Sequence, residues 1–228
     1  MRFFKESEDF GEFDEIKDRA AYHEFGNIED AEAWGTETFG EWAKHHKRIY
    51  ETTKRFSSNS ALHVTDPVDM YLGYGFRQIN QNLRYDEIRN IPNHIFVTIS
   101  NLVISICSAP IIDRKIILYR QVSEIMINEL VSKNRENKPY CEKGFMSTSL
   151  VETICARTCG NSQYMLKIYV NNTNPIHAIY ADLIRRRDEA ELLLQPELFM
   201  RMAKAPYLDK ETDKQIYEVH LFSLQSEV

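Results

Sequence analysis

Residues 110–122 read PIIDRKIILYRQV, and the chain changes character across them. Upstream, apolar residues recur at helical spacing; from Lys115 onward they gather into β-branched and aromatic runs. Up to the Ser57-Ser58-Asn59-Ser60 break the chain reads as helical, anchored by Trp34, Phe39, Trp42, Ile49 and Tyr50. Asp66-Pro67 opens the next helix, with Asp66 as cap and Pro67 at the first helical position. Its residues Val68, Leu72, Phe76, Ile79 and Leu83, three and four apart, predict a stripe facing the core. A buried helix follows over 93–107, carrying Ile95, Phe96, Ile99, Leu102, Val103 and Ile106. Downstream, strands are predicted over 115–122, 144–150, 163–170, 190–194, 199–205 and 215–223, with a short helix over 123–132. Helices first and strands afterwards predict an α+β fold and argue against a doubly wound sheet.

A chain of 228 residues, 43% hydrophobic, supports one substantial core. The expectation is a single domain over 1–228: an acidic arm (1–30), a mainly helical part (about 31–108) and a mainly β part (about 112–228). With 28 basic against 34 acidic residues and a net charge of −6, the chain lacks the basic footprint of nucleic-acid binding. The N-terminus is too polar after Phe4 for a signal peptide, and Thr98, Ser100, Asn101 and Pro110 interrupt the most apolar stretch below bilayer length. No membrane role is expected of this chain. Cys107, Cys141, Cys155 and Cys159 read as free, packed thiols; neither Cys155 and Cys159 nor the scattered histidines have metal-ligand spacing, so no metal is expected.

Three short segments carry candidate chemistry. They are Tyr119-Arg120 at a strand end, Phe145-Met146-Ser147-Thr148-Ser149 in another strand, and Glu189-Ala190-Glu191 ahead of Leu192-Leu193-Leu194. Singly, each has an ordinary explanation as an edge arginine, a hydroxyl-rich strand and strand alternation. In this order they resemble the active site of the bacterial mono-ADP-ribosyltransferase toxins of the Arg-Ser-Glu class, Glu-x-Glu subtype. Trp34-Gly35 with Trp42, and Ile79-Asn80-Gln81-Asn82-Leu83-Arg84, are similar to the first helices of the branch holding the clostridial binary-toxin components and the Rho-modifying exoenzymes.

That resemblance implies a fold of two short, roughly perpendicular sheets around an NAD cleft, with helices on the N-terminal side. It also implies transfer of one ADP-ribose from NAD to a protein side chain. Arg120, a planar donor fork suited to a pyrophosphate, would bind NAD, and Asn80 and Arg84 would touch its ADP half. Glu191 would stabilise the positive charge that develops on the ribose as nicotinamide leaves, and Ser147 would orient Glu191. Glu189, whose carboxylate in extended geometry projects to the same side as that of Glu191, would engage the acceptor. Glu at that position accompanies arginine acceptors in the family, so the resemblance implies an arginine of a target protein, with actin foremost. The place of action it implies is the cytosol of a target cell, reached by secretion or by a separate delivery component.

The chain also departs from the pattern it resembles. Gln121 follows the arginine where many relatives have Gly or a second basic residue. Arg185-Arg186-Arg187 makes the segment before the glutamates basic, implying an acidic patch on the target. The loop over 151–162, expected to close over nicotinamide, offers Arg157 as its cofactor contact. Two other readings stay open: the same fold acting on another residue type or mainly hydrolysing NAD, and a catalytically inactive binding module.

Overall fold

The computed structural model describes residues 9–57, 65–85, 91–158, 161–185 and 187–224. Ser58, Asn59, Ser60, Cys159 and Arg186 lie outside them, as does the start of the arm. In chain order the elements are α1 (Ile28–Ser57), α2 (Pro67–Met70), a π-helical turn (Tyr71–Gly75), α3 (Phe76–Arg84), α4 (Asn93–Cys107), β1 (Ile116–Val122), α5 (Glu124–Arg135), β2 (Tyr140–Glu142), β3 (Met146–Ser149), α6 (Glu152–Thr158), β4 (Tyr164–Val170), β5 (Ala178–Tyr180), β6 (Glu191–Leu194), β7 (Leu198–Met202), β8 (Tyr207–Asp209) and β9 (Lys214–Ser223). Helices do precede most of the strands, as an α+β reading requires.

The helical part follows local chemistry closely. Asn27 caps α1 by accepting the Asp30 N–H at 2.8 Å, and Trp34 and Phe39 enter the core. Ile49 is exposed; among the described side chains of α1, none beyond Trp42 reaches the main hydrophobic cluster. A Cβ at Gly35 would stand 2.4 Å from the Tyr180 ring, so the glycine after Trp34 lets α1 press on the end of β5. Asp66 accepts from the N–H groups of Val68 and Asp69, capping α2 as expected. The predicted stripe then breaks at one point: Val68, Leu72 and Ile79 are buried but Phe76 is 41% exposed. The five-residue π turn inserts an extra residue into the helical repeat and rotates Phe76 off the core face. In α4 only Ile95, Ile99, Leu102, Ser105 and Ile106 are buried; Phe96 and Ile104 face outward, so this helix is one-sided where a buried one was expected.

The strands follow one hydrogen-bonded path, β2-β7-β9-β4-β1-β3-β6-β5, with β8 added on β9. All pairs are antiparallel except β4 with β9. Where β1 meets β3 the ladder narrows to a single pair, Tyr119 with Ser149. The path therefore divides at this joint into a larger and a smaller sheet half.

The larger half is covered on both faces. Leu118, Leu166, Ile168 and Val219 point into the main cluster with the helices, while Ile117, Tyr119, Met165 and Tyr169 form a second cluster with Ile16 and Tyr22 of the arm. The arm over 9–27 is thus packed against the sheet, tied by Asp14 N–H to Met202 O at 2.9 Å and by Ile117 N–H to His23 O at 3.0 Å. Glu218 of β9 is buried because Arg19 of the arm and Lys204 close over it.

Candidate active site

The site forms at the narrow joint of the ladder. Tyr119, Ser149 and Glu191 lie in one row across β1, β3 and β6. Arg120 follows in β1, its side chain 16% exposed. Its NH1 nitrogen is buried with no hydrogen-bond partner, and NH2 lies 3.9 Å from Glu142 Oε2. A buried guanidinium nitrogen with donors to spare is an unusual expense in a folded chain and suits an incoming anion.

Glu142, at the end of β2, is the carboxylate that no sequence signal identified. It is 1% exposed and accepts two hydrogen bonds from Arg84, both 2.9 Å, and one from the Gly144 N–H at 2.9 Å. Burial alone would push its carboxyl up, but the Arg120 charge and the Arg84 hydrogen bonds outweigh burial and hold it below the ordinary range. Asn80, one turn before Arg84 on α3, reaches the same segment. Its amide donates to Phe145 O at 3.2 Å and to the Tyr71 hydroxyl at 3.0 Å, and its Oδ1 accepts the Phe145 N–H at 2.9 Å. A Cβ at Gly144 would stand 2.8 Å from Asn80 Oδ1, which keeps that position open for glycine. Asn80 and Arg84 do project from one side of the helix, but mainly onto residues 142–145. Asn80 also lines the cleft, whereas Arg84 does not.

Ser147 and Glu191 are diagonal neighbours: Ser147 pairs with Leu193, and Glu191 lies two residues before Leu193 on the same face. The Ser147 hydroxyl donates to Glu191 Oε1, while Oε2 is buried without a partner. Burial pushes the Glu191 carboxyl up to about 7, against the Ser147 hydrogen bond and with help from the Glu189 charge. The two glutamates share a cleft, though not through the strand alternation expected of them. Strand β6 begins only at Glu191, and Ala190 (φ 48°) and Asp188 (φ 56°) are left-handed. This strained path is held in place by Ser149, which donates to Glu189 O at 2.8 Å, and by Asp182, which accepts the Ala190 N–H at 2.9 Å.

The resulting cleft has a volume of about 370 Å³. Asn80, Arg120, Ser147, Glu189 and Glu191 all line it, joined by Phe76 from the rotated helix. Arg187 lines it as well, 3.9 Å from Glu189, whereas Arg185 is drawn off to Asp69 at 3.4 Å. The two described arginines of the basic segment, Arg185 and Arg187, thus face different partners. The loop expected over 151–162 contains helix α6, on which Arg157 is exposed and outside the cleft lining, while Thr158 is within it. Among the described residues no group of three or more His, Cys, Asp or Glu side chains is placed to hold a metal.

The sequence profile of the ADP-ribosyltransferase exoenzyme family matches residues 31–222. The chain belongs to that family. A search of curated proteins gives no significant match. Solved structures agree in fold with this exoenzyme-family chain. The ADP-ribosylating toxin BECa of a C. perfringens binary enterotoxin, determined with NADH, has a TM-score of 0.64 at 21% identity, covering 88% of this chain and 50% of that one. The Clostridium limosum C3 exoenzyme has a TM-score of 0.62 at 19% identity over 88% and 97%. Plx2a, an ADP-ribosyltransferase toxin from Paenibacillus larvae, has 0.65 at 18% over 88% and 99%. The exoenzyme-family chain thus spans half the length of BECa and nearly all of the other two. Among its described residues no helix is long and apolar enough to cross a membrane.

Proposed function

We propose that the chain is a mono-ADP-ribosyltransferase that moves one ADP-ribose from NAD to an arginine of a target protein. The observation that carries this reading is the pairing, in one cleft, of Ser147-bound Glu191 with the unpartnered buried nitrogen of Arg120. Arg120 would hold the pyrophosphate by a charge-assisted fork, with Glu142 and Arg84 fixing its surroundings. Glu191, oriented by Ser147, would stabilise the positive charge growing on the ribose as nicotinamide departs, and its partnerless Oε2 is available for the ribose hydroxyls. Glu189 would receive the acceptor guanidinium bidentately and take its proton. No metal enters this mechanism.

The acceptor assignment rests on Glu189 standing at the cleft beside Glu191, and actin is the first target to test. Action inside a target cell, with or without a delivery component, belongs to the same proposal. Labelled NAD incubated with the full chain and a host-cell lysate is expected to label a protein band whose modified residue maps to arginine. Nicotinamide release without any labelled band would support hydrolysis instead; no NAD consumption at all would overturn the reading.

A further inference from the structure

Arg187 stands beside the carboxylate proposed above to receive the acceptor. Its guanidinium lies 3.9 Å from the Glu189 carboxylate, in the cleft that Ser147 and Glu191 also line. The loop holds it there: Asp188 and Ala190 are both left-handed, and Asp182 anchors the Ala190 N–H. Arg185, by contrast, is tied to Asp69 and packs its guanidinium against Gly73. The carboxylate assigned to an acceptor guanidinium thus already has one at hand, supplied by the chain itself. Resting on the arginine-directed reading above, the geometry points to Arg187 as an ADP-ribose acceptor in cis, so that the chain modifies its own cleft loop.

The pair does not explain itself as a stabilising contact. At 3.9 Å, with both side chains about one-third exposed, it is a weak ion pair worth little to the fold, and it opens easily. As a reactant, however, a tethered guanidinium has a large advantage over a dissolved one, because its encounter with the reacting carbon costs no translational entropy. In the step itself, the bond from the ribose anomeric carbon to the nicotinamide nitrogen breaks and its electron pair leaves on nicotinamide. A terminal nitrogen of Arg187 forms the new bond to that carbon, and Glu189 takes the displaced guanidinium proton and passes it to water. One NAD and one Arg187 give one nicotinamide, one proton and one ADP-ribosylated arginine, with no other reactant. The product carries two phosphate charges at the cleft mouth, beside Glu189, and slows further turnover.

The test incubates the full chain with NAD labelled in its adenylate half, without any other protein, and in parallel with agmatine as a soluble guanidine. Mass spectrometry that separates positions 185, 186 and 187 is expected to find the label on Arg187. The rate per molecule should not change on dilution of the chain, and Arg187→Lys, checked for folding by its melting temperature, should lower self-labelling roughly 10-fold or more. Agmatine modified while the chain stays unlabelled, label at another position, or a rate that rises with chain concentration overturns self-modification and leaves the arginine-directed reading intact. If neither agmatine nor the chain is modified while an arginine of a lysate protein is, self-modification is overturned and the arginine-directed reading stands; if no arginine is modified in any of the three, that reading fails and takes self-modification with it.

Discussion

Glu189 and Glu191 are two residues apart and share a cleft, yet their surroundings differ, which supports the different tasks proposed for them. Glu191 is 5% exposed, hydrogen-bonded to Ser147 and pushed up to about 7 by burial; Glu189 is partly open to solvent and faces Arg187. Two carboxylates in contrasting environments are how one site divides its roles. Glu191→Gln keeps the shape and removes the charge facing the ribose, so both ADP-ribose transfer and NAD hydrolysis should fall by roughly 10²–10³. Glu189→Gln leaves that charge in place, so transfer to arginine should fall steeply while slow hydrolysis survives. Assaying both activities on both variants decides it: equal loss of hydrolysis in the two, with melting temperature unchanged, would remove the division of roles. The residue types were legible in the sequence because the chemistry demands them. The route by which Glu189 reaches the cleft was not, since nothing in Asp188-Glu189-Ala190 announces two left-handed residues in place of a strand.

At the scale of elements, what the sequence displayed was periodicity, and what it hid was anything too short or too distant to have one. Strands β1, β4 and β9 are long enough for their β-branched runs to stand out, whereas β2, β5 and β8 have three residues each and no readable alternation. The π turn has no composition of its own, so the position of Phe76 could not be foreseen. Glu142 was hidden for another reason: Tyr140-Cys141-Glu142-Lys143-Gly144 looks like a polar turn, and its partner Arg84 is 58 residues earlier. This pair joins α3 to β2 beneath the Arg120 side chain, and it yields a stability prediction. Arg84→Gln leaves Glu142 with the Arg120 charge, and Glu142→Gln leaves a guanidinium that is 39% exposed, so each should cost less than breaking a fully buried pair, about 2 kcal/mol for the charged hydrogen bonds lost. The double variant should cost clearly less than the sum of the two, with a coupling of about 1 kcal/mol or more in urea unfolding. Additive losses would mean that Arg84 does not support Glu142.

Across the whole molecule, buried carboxylates pull stability in opposite directions with pH. Glu218 is enclosed by arm and sheet; burial would raise its carboxyl, but the hydrogen bonds from Arg19 and Lys204 outweigh burial and hold it low, as Arg120 and Arg84 do for Glu142. Groups depressed in this way lend stability that is complete above their unfolded value near 4.5 and is lost as pH falls through the folded value. Glu191 behaves in reverse. Its carboxyl is raised from 4.5 to about 7, so the native state holds the extra proton between those values, and stability present below 4.5 is lost as pH rises through 7. His220, held below its ordinary value by burial, opposes that trend, because the unfolded chain binds its proton first as pH falls. The melting curve of the native chain alone therefore mixes several titrations, and the informative quantity is the difference between Glu191→Gln and the native chain. Ionising Glu191 in place corresponds to about 3 kcal/mol, which for a chain of this size amounts to roughly 6–12 °C in melting temperature. Glu191→Gln should gain most of that difference at pH 8 and little of it at pH 5, making the catalytically crippled variant the more stable one at the higher pH. A difference in melting temperature that stays flat from pH 5 to pH 8 would show that Glu191 does not titrate in this window, and its burial would then have to be reconciled with a carboxylate stabilised by more than Ser147.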